Sequence, residues 1–285
     1  MKFRMMFAAL LLAAGLVSVT GCSKAKDSAV KVFKLDKQRI DDDMARGIRF
    51  AKRDDQWILM SYNKSLTDPD YTVPEGVTEI APEAFRYCEN LMSVTIPGSV
   101  KRIGTEAFAG CQKLESVTID DGVVDIGTEA FSHCYSLKSV TIPGSVKTIG
   151  KKAFSMCKKL EFLTIGNGVK NIGDWAFWAC DDLKSVTIPG NVLAIGEEAF
   201  SLCQNLESVT ICDGVKSIGR RSFRCCYKLK KVNLPSSLTA IGSEAFERCP
   251  IYTVTIPSSV KVIQDGAFKN CPCEASVKKQ FPAYK

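Results

Sequence analysis

Histidine is almost absent from this sequence, since His133 is the only one among 285 residues. No carboxylate is positioned beside it, and no Ser-His-Asp or Cys-His grouping can be assembled. Cysteine and histidine also lack the paired spacing of zinc sites, and the glycines recur singly rather than in a phosphate-binding loop. We therefore predict a protein that is not an enzyme and has no cofactor or metal, with His133 solvated or half-packed.

Basic blocks with interleaved aromatic residues are also missing, which argues against nucleic acid as a partner. The formal charge is +7, and two of these charges, Lys2 and Arg4, precede an apolar run from Phe7 to Val19. That run is too short for a transmembrane helix, which needs about 20 apolar residues. A basic start followed by such a run is typical of a secretory signal. The sequence therefore predicts an exported protein.

The apolar run ends in Val19-Thr20-Gly21-Cys22, which resembles the lipobox of bacterial lipoproteins. In that family the cysteine is diacylated and becomes the mature N-terminus. The resemblance implies that residues 1–21 are a lipoprotein signal peptide, that Cys22 carries lipid, and that the only membrane contact is this anchor. The alternative is an ordinary cleavage site that leaves an unmodified Cys22.

The residues that are present form a repeat. Phenylalanines recur every 23 residues, with the last interval one residue shorter, and a cysteine follows each after three positions. Such a period predicts a solenoid, in which each unit buries its apolar face only against its neighbours. Solenoids present surface rather than perform chemistry, so binding is favoured over catalysis. The ladder includes Phe85, Cys88, Phe108, Cys111, Phe131, Cys134, Phe154, Cys157, Phe177, Cys180, Phe200, Cys203, Phe223, Cys226, Phe246, Cys249, Phe268 and Cys271.

A typical unit runs from residue 137 to residue 157. Val140 and Ile142 alternate with hydroxyl residues, which predicts a short strand with two apolar side chains pointing inward. Pro143 lacks an N–H group and ends the strand pairing. Gly150 is expected to adopt a turn conformation that a side chain would hinder. The Ala-Phe-x-x-Cys segment is predicted to be a short helical or 3₁₀ turn.

The composition divides the chain into segments. We expect a charged, solvated tether over residues 22–46, with a frayed helix near its end, and an N-terminal capping hairpin within residues 47–70. Residues 71–273 form the stacked repeats. For residues 274–285, the C-terminal tail, the sequence leaves open whether the segment packs on the last repeat.

The repeat resembles the BspA-like bacterial leucine-rich-repeat family, whose units carry the same Val-Thr-Ile-Pro, Ile-Gly and Ala-Phe-x-x-Cys elements. The resemblance covers residues 47–273 and implies a leucine-rich-repeat solenoid of stacked parallel strands. It also implies adhesion to host or neighbouring-cell proteins as one common role. The asparagine ladder of ordinary leucine-rich repeats is missing, because that position holds Ser99, Gly122, Ser145, Gly168, Asn191, Gly214, Ser237 and Ser259.

Thirteen cysteines in an exported protein raise the question of disulfides. Equivalent cysteines in adjacent repeats have parallel side chains about 4.8 Å apart, whereas the Cβ atoms of a disulfide lie about 3.8 Å apart. We therefore interpret the ladder cysteines as buried small hydrophobic residues. Cys212, Cys225 and Cys273 lie off the ladder, and the sequence leaves open whether any two of them pair.

Two columns of residues carry charge. The first alternates in sign from repeat to repeat, which favours weak attraction between neighbouring coils and fixes their register. The second is a stripe of lysines, which is either a solvated row or a surface for acidic proteins or polyanionic glycans. The columns are Glu115, Lys138, Glu161, Lys184, Glu207 and Lys230, and Lys101, Lys147, Lys170, Lys216 and Lys261.

The candidate partner-binding residues are outward-facing. Thr141, Thr164 and Thr187 belong to a hydroxyl-rich strand face that suits either extended recognition or plain solvation. Trp175 and Trp178, at spacing i, i+3, replace charged or small residues and would share one side of a helical turn. The alternative is that both tryptophans fold down over neighbouring repeats. Phe162 replaces a serine on the strand face.

The sequence as a whole predicts a monomeric, lipid-anchored protein of the outer membrane or cell surface, or one that faces the periplasm. Its expected function is to bind proteins or surface glycans in adhesion. The alternative is an envelope scaffold without a dedicated ligand. The identity of the ligand does not follow from the residues.

Overall fold

The computed structural model describes residues 34–284, which form a solenoid of stacked coils closed by a small cap at each end. Most coils contribute a short strand, a two-residue strand and a segment of turns. The elements are α1 (Lys37–Ala45), β1 (Arg49–Arg53), β2 (Gln56–Ser61), β3 (Asp70–Thr72), β4 (Val77–Ile80), β5 (Ser93–Ile96), β6 (Arg102–Ile103), β7 (Ser116–Ile119), β8 (Asp125–Ile126), β9 (Ser139–Ile142), β10 (Thr148–Ile149), β11 (Phe162–Ile165), β12 (Asn171–Ile172), β13 (Ser185–Ile188), β14 (Ala194–Ile195), β15 (Ser208–Ile211), β16 (Ser217–Ile218), β17 (Lys231–Asn233), β18 (Ala240–Ile241), β19 (Val262–Ile263) and α2 (Glu274–Gln280).

Apart from the antiparallel pair β1 and β2, the strands form parallel sheets, in which most strands pair with their equivalents in the neighbouring coils. One sheet of eleven strands is continuous from the cap to the last coil, in the order β1-β2-β4-β6-β8-β10-β12-β14-β16-β18-β19. The longer strands form the strand face, which comprises β3, β5, β7, β9, β11, β13, β15 and β17. This face is divided into a five-stranded sheet ending at β11 and a three-stranded sheet that starts at β13. The predicted solenoid of parallel strands is confirmed.

The core is a stack of phenylalanine rings. All nine ladder phenylalanines have no solvent exposure. Their rings lie nearly parallel along most of the stack, with centroids 4.6–5.4 Å apart between neighbouring coils. Because every interior ring packs against two others, the core is one continuous column.

The ladder cysteines are buried and also donate hydrogen bonds, which the sequence does not reveal. Cys157 Sγ donates to the carbonyl oxygen of Phe131 at 3.3 Å, and Cys111 Sγ donates to that of Phe85 at 3.0 Å. Equivalent bonds link the other coils. Burial raises the pKa of the Cys203 thiol to about 12. No disulfide joins any cysteine within residues 34–284.

Of the two predicted alternatives, a helical or a 3₁₀ turn, the turn segment has the hydrogen-bond spacing of the second. Its hydrogen bonds span three residues, as from the Cys111 N–H to the Phe108 carbonyl at 3.2 Å, but two positions in each coil have positive φ. Those left-handed residues interrupt a continuous helix and produce successive turns instead. They are Glu83, Tyr87, Glu106, Gly110, Glu129, His133, Lys152, Met156, Trp175, Ala179, Glu198, Leu202, Arg221, Cys225, Glu244, Arg248, Gly266 and Asn270.

The glycine column has a different cause from the expected one. Gly150 does not have positive φ, and a Cβ atom there would lie 2.5 Å from the carbonyl carbon of Gly127. Close approach of two backbones, rather than turn conformation, therefore excludes a side chain. Gly144 lies outside this column, and a Cβ atom there would meet nothing within 4 Å.

The N-terminal cap contains the predicted hairpin, and the helix expected at the end of the tether is packed rather than frayed. β1 and β2 pair antiparallel, and β2 pairs with β4, which confirms the capping hairpin. Part of the segment predicted to be a solvated tether is instead folded, because Ile40 of α1 is buried in the core. Asp43 is also buried, and it accepts a hydrogen bond from the Tyr71 hydroxyl at 2.7 Å. Burial, reinforced by this carboxylate, raises the pKa of Tyr71.

The C-terminal tail packs on the last coil, which settles the alternative that the sequence leaves open. Val277 of α2 is buried, and the Tyr284 hydroxyl accepts a hydrogen bond from the Phe268 N–H at 2.9 Å. The Gln280 side chain accepts from the Ile256 N–H and donates to the Val254 carbonyl, both at 3.0 Å. This side chain therefore occupies backbone sites that a further strand would use.

Candidate interaction surfaces

The strand face presents an array of hydroxyl groups to solvent. Thr141, Thr164 and Thr187 are all exposed, at equivalent positions of β9, β11 and β13. Serines at the first position of most strands lie beside them. Because alternate residues of a strand point to opposite faces, the same strands bury their valine and isoleucine residues. The face is therefore polar, repetitive and regular, apart from one residue.

That residue is Phe162, whose side chain is 63% exposed. It begins β11 and is paired in register with Ser139 of β9. The equivalent residue of β13 is Ser185. A large aromatic side chain thus stands out from a row of small hydroxyl residues, where it covers no part of the core. Exposed aromatic groups on a polar surface are frequent anchors of protein interfaces.

The strand face opens beside Phe162. β11 and β13 belong to different sheets, so no strand ladder joins them, although β12 and β14 of the same coils remain paired. Leu163 is only half-buried, whereas the equivalent Val140 and Val186 are 2% and 3% exposed. An ion pair between Glu161 and Lys184 crosses the gap. Phe162 therefore lies at a break in the strand face.

Trp175 and Trp178 lie in the turn segment, away from the strand face. Both side chains are half-buried, which is intermediate between the two alternatives that the sequence allows. The Trp178 N–H donates to the Trp175 carbonyl at 3.0 Å, so the pair lies within one turn. Lys151 Nζ lies 4.8 Å from the centre of the Trp175 ring, within the range of a cation–π interaction.

Other coils of the turn segment carry ion pairs at positions equivalent to Trp175. Arg221 contacts Glu244 at 2.7 Å, and Lys152 contacts Glu129 at 3.2 Å. The Arg221 guanidinium lowers the pKa of Glu244. These charges are therefore engaged in holding neighbouring coils together, and each exposed pair contributes little to stability.

The two charged columns behave differently from each other. In the alternating column, Lys138 pairs with Glu115 and Lys184 pairs with Glu161. Lys230, the last member, has no ion pair among residues 34–284. In the lysine stripe, Lys101 donates to the Gly98 carbonyl at 2.8 Å, so this side chain is partly engaged with the loops beside it.

The remaining candidates lack partners for chemistry in the described part of the chain. His133 Nδ1 is hydrogen-bonded to the Ser132 hydroxyl at 2.8 Å, and its ring packs edge-on against Tyr135. No cluster of potential metal ligands occurs within residues 34–284. Neither helix in this range has the length and apolar character of a membrane span. Cys22 and residues 1–21 lie outside the described residues.

One feature of the strand face was not predicted from the sequence. Between β17 and residues 253–256 the strand face contains a second gap, which we call the C-terminal groove, with a volume of about 450 Å³. The signal was present in the sequence, because the interval from Phe246 to Phe268 is one residue short. The missing residue lies between Cys249 and Val254, since the equivalent interval from Cys226 to Val232 is longer by one.

Comparison with known proteins agrees with this architecture. The family model of the BspA type leucine rich repeat region matches six copies over residues 61–181 and 147–274. A leucine-rich repeat protein from Bacteroides ovatus has 28% identity and a TM-score of 0.66, and the match covers 84% of this chain and 61% of that protein. The chain thus spans about three fifths of that protein's length.

The T. pallidum leucine-rich repeat protein has 26% identity and a TM-score of 0.54, with 85% of this chain and 96% of that one covered. A comparison with curated proteins gives no match. The family model spans most of the chain, and the repeated strand, glycine column and Phe-Cys ladder account for the match physically. The chain therefore belongs to the BspA-type leucine-rich-repeat family, solenoid repeat proteins whose architecture suits protein–protein interaction.

Proposed function

We propose that this chain is an exported, lipid-anchored envelope protein that binds a protein or surface glycan through its strand face, with Phe162 as the central anchor. The observation that carries the proposal is the 63% exposure of Phe162 within a row of serines. Keeping a phenylalanine in water is unfavourable, by about 1.5–3 kcal/mol relative to burial. A partner that covered this side chain would recover that free energy.

The strand face is preferred over the turn segment for two reasons. The break between β11 and β13 leaves Leu163 partly uncovered beside Phe162, so the apolar patch exceeds one side chain. In the turn segment, Trp175 is already partly covered and has Lys151 over its ring. Trp175 and Trp178 are therefore proposed as a secondary contact.

Export and anchoring are proposed from the sequence of residues 1–22. Cys22 follows an apolar run and a Val19-Thr20-Gly21 segment, in the arrangement of a lipobox. With the chain anchored there, the solenoid would be presented at the outer membrane or cell surface in adhesion. Protease treatment of intact cells, with Cys22→Ala as the control, tests this placement. Protection of the solenoid until the envelope is opened would contradict surface display and favour a periplasmic role.

Site-specific photo-crosslinking tests the binding surface in the native envelope. A benzophenone amino acid at position 162 should give a discrete adduct, and the same group at position 116, an equivalent strand position, should not. Phe162→Ser, which restores the residue of the neighbouring repeats, should remove partner binding without unfolding the chain. Equal adducts at both positions would contradict a localised site. Absence of any adduct would favour a scaffold without a dedicated ligand.

A further inference from the structure

We propose that the C-terminal groove accepts an extended acidic peptide, which adds one strand between β17 and residues 253–256. This site is separate from Phe162 and does not depend on the function proposed for that residue. Addition of a strand to an open sheet edge is a common mode of peptide recognition. In this groove, two facing edges are open within one face.

The backbone groups on each side of the groove can be assigned. Lys231 of β17 faces β15, because its N–H donates to the Glu207 carbonyl at 3.3 Å. Neighbouring residues of a strand direct their N–H and C=O groups to opposite sides. Val232 therefore directs its N–H and carbonyl groups toward the groove.

The other edge follows from the same alternation. The Val254 carbonyl and the Ile256 N–H are paired with the Gln280 side chain on the side of α2. Thr253 and Thr255 consequently direct their backbone groups toward β17. If β17 paired directly with residues 253–256, backbone hydrogen bonds would join Val232 to Thr253 and to Thr255. Within residues 34–284, neither of these hydrogen bonds forms.

The missing residue explains why the segments do not meet. Phe246 and Phe268 remain stacked at 5.2 Å, and β18 still pairs with β19, so the coils are in contact elsewhere. The connection from Cys249 to the strand position is one residue shorter than in the other coils. This shorter connection is the local difference that accompanies the loss of pairing with β17, and the gap opens only on the strand face.

The floor of the groove is apolar. Val232 and Leu234 are half-buried, whereas the equivalent Val209 and Ile211 of β15 are 2% and 0% exposed. The difference arises because residues 253–256 do not cover β17. An added strand with β-branched residues at alternate positions would cover both side chains and continue the pattern of the face. The volume, about 450 Å³, lies in the usual range of ligand sites.

Charge favours an acidic occupant. Lys230 and Lys231 are exposed at the rim, and neither forms an ion pair within the described residues. In two preceding coils, the equivalent lysines pair with a glutamate of the coil before. For Lys230 that glutamate is Glu207, and among residues 34–284 the two side chains form no ion pair. On the side of the groove, the equivalent residue of the next coil is Tyr252, which is 68% exposed and uncharged. Carboxylates flanking the added strand would meet these two lysines.

A peptide with the sequence of residues 114–121, Leu-Glu-Ser-Val-Thr-Ile-Asp-Asp, is a suitable probe. It carries the alternating apolar residues and acidic flanks that the groove requires, and the same sequence forms β7 in this chain. One control peptide has lysine in place of each acidic residue. A second has proline in place of the threonine, which removes a backbone donor from the strand.

Hydrogen–deuterium exchange of the full chain locates the peptide. In the free protein we expect fast exchange at the Val232 and Thr255 amides and slow exchange at Lys231, whose amide is already bonded to Glu207. The acidic peptide should slow both fast amides, and neither control peptide should do so. Slow exchange at Val232 and Thr255 in the free chain would overturn the proposal, as would protection elsewhere.

Two variants test the cause of the opening and the role of charge. Insertion of one lysine after Pro250 restores the usual repeat length, so it should close the groove and abolish peptide binding. The double variant Lys230→Glu, Lys231→Glu leaves the groove open, and it should lower the affinity for the acidic peptide about tenfold. This second variant keeps the test valid if the insertion impairs folding.

Other outcomes separate this site from its alternatives. Phe162→Ser should leave peptide binding unchanged, so a failure of either proposal does not affect the other. Unchanged affinity in the double lysine variant would overturn the acidic specificity. The chain could instead associate with itself, and this association could disappear in the insertion variant. That result would identify a second copy as the occupant of the groove and would overturn the proposal of a peptide.

Discussion

Replacement of Phe154 by alanine tests the central feature of the fold, the column of stacked rings. Phe154 has no solvent exposure and lies 5.1 Å from the Phe131 ring and 5.4 Å from the Phe177 ring. A buried aromatic side chain removes about 150–250 Å² from water. At about 25 cal/mol per Å², this area corresponds to about 4–6 kcal/mol for the whole side chain.

Alanine retains the β carbon, and the backbone hydrogen bond from the Phe154 N–H to the Ala176 carbonyl remains available. The expected loss of unfolding free energy is therefore about 3–5 kcal/mol, in the range of buried Phe→Ala changes. The cavity should persist, because the rings on both sides are fixed in their own layers. Phe154→Leu keeps most of the volume and should cost less, about 1–2 kcal/mol.

Urea unfolding, followed by circular dichroism and by tryptophan fluorescence, measures both variants. Coincidence of the two probes shows whether a single free energy describes the transition in a repeat protein. Phe162→Ala is the matched control, since it makes the same chemical change at a side chain that is 63% exposed. It should alter stability by no more than about 0.5 kcal/mol. Equal stability losses at positions 154 and 162 would refute the reasoning.

Two further predictions concern the backbone approach and the ladder thiols. Gly150→Ala should destabilise the chain by about 1–3 kcal/mol through overpacking against Gly127, whereas Gly144→Ala should be neutral or slightly stabilising; equal melting temperatures would contradict this contrast. Cys203 has its folded-state pKa raised to about 12, against about 8.5 when unfolded. The thiol's contribution is present below pH 8.5 or so and is lost as pH rises toward about 12. Between these pH values the unfolding free energy should fall less steeply with pH in Cys203→Ala, by about 1.4 kcal/mol per pH unit. Identical slopes for the variant and the parent chain, measured by urea unfolding at several pH values, would contradict this prediction.

The structure also shows where local sequence patterns mislead. The charged segment before residue 47 has the composition of a tether, yet α1 inserts Ile40 into the core and Asp43 accepts a hydrogen bond from the buried Tyr71. These contacts join residues far apart in the chain, so composition does not reveal them. The sequence predicts the column of Gly150 but not its cause, because the approach of Gly127 depends on how two coils stack.

The sequence predicted the residues of the candidate site on the strand face, but it did not predict how they are arranged. Phe162 and the row of threonines are outward-facing, as strand alternation requires. Their proximity to a break between β11 and β13 is a property of the stacked sheet. The C-terminal groove likewise follows from a one-residue difference, whose effect depends on which face of the coil absorbs it.

The sequence by itself determined the repeat length, the register and the identity of the buried ladder, because the same pattern is imposed on every coil and can bury its apolar residues only by stacking. Tertiary structure alone decided which backbone edges remain open. Backbone hydrogen bonds between coils depend on distances between residues about 22 to 24 positions apart, and a small local displacement removes them on one face while the core stays closed.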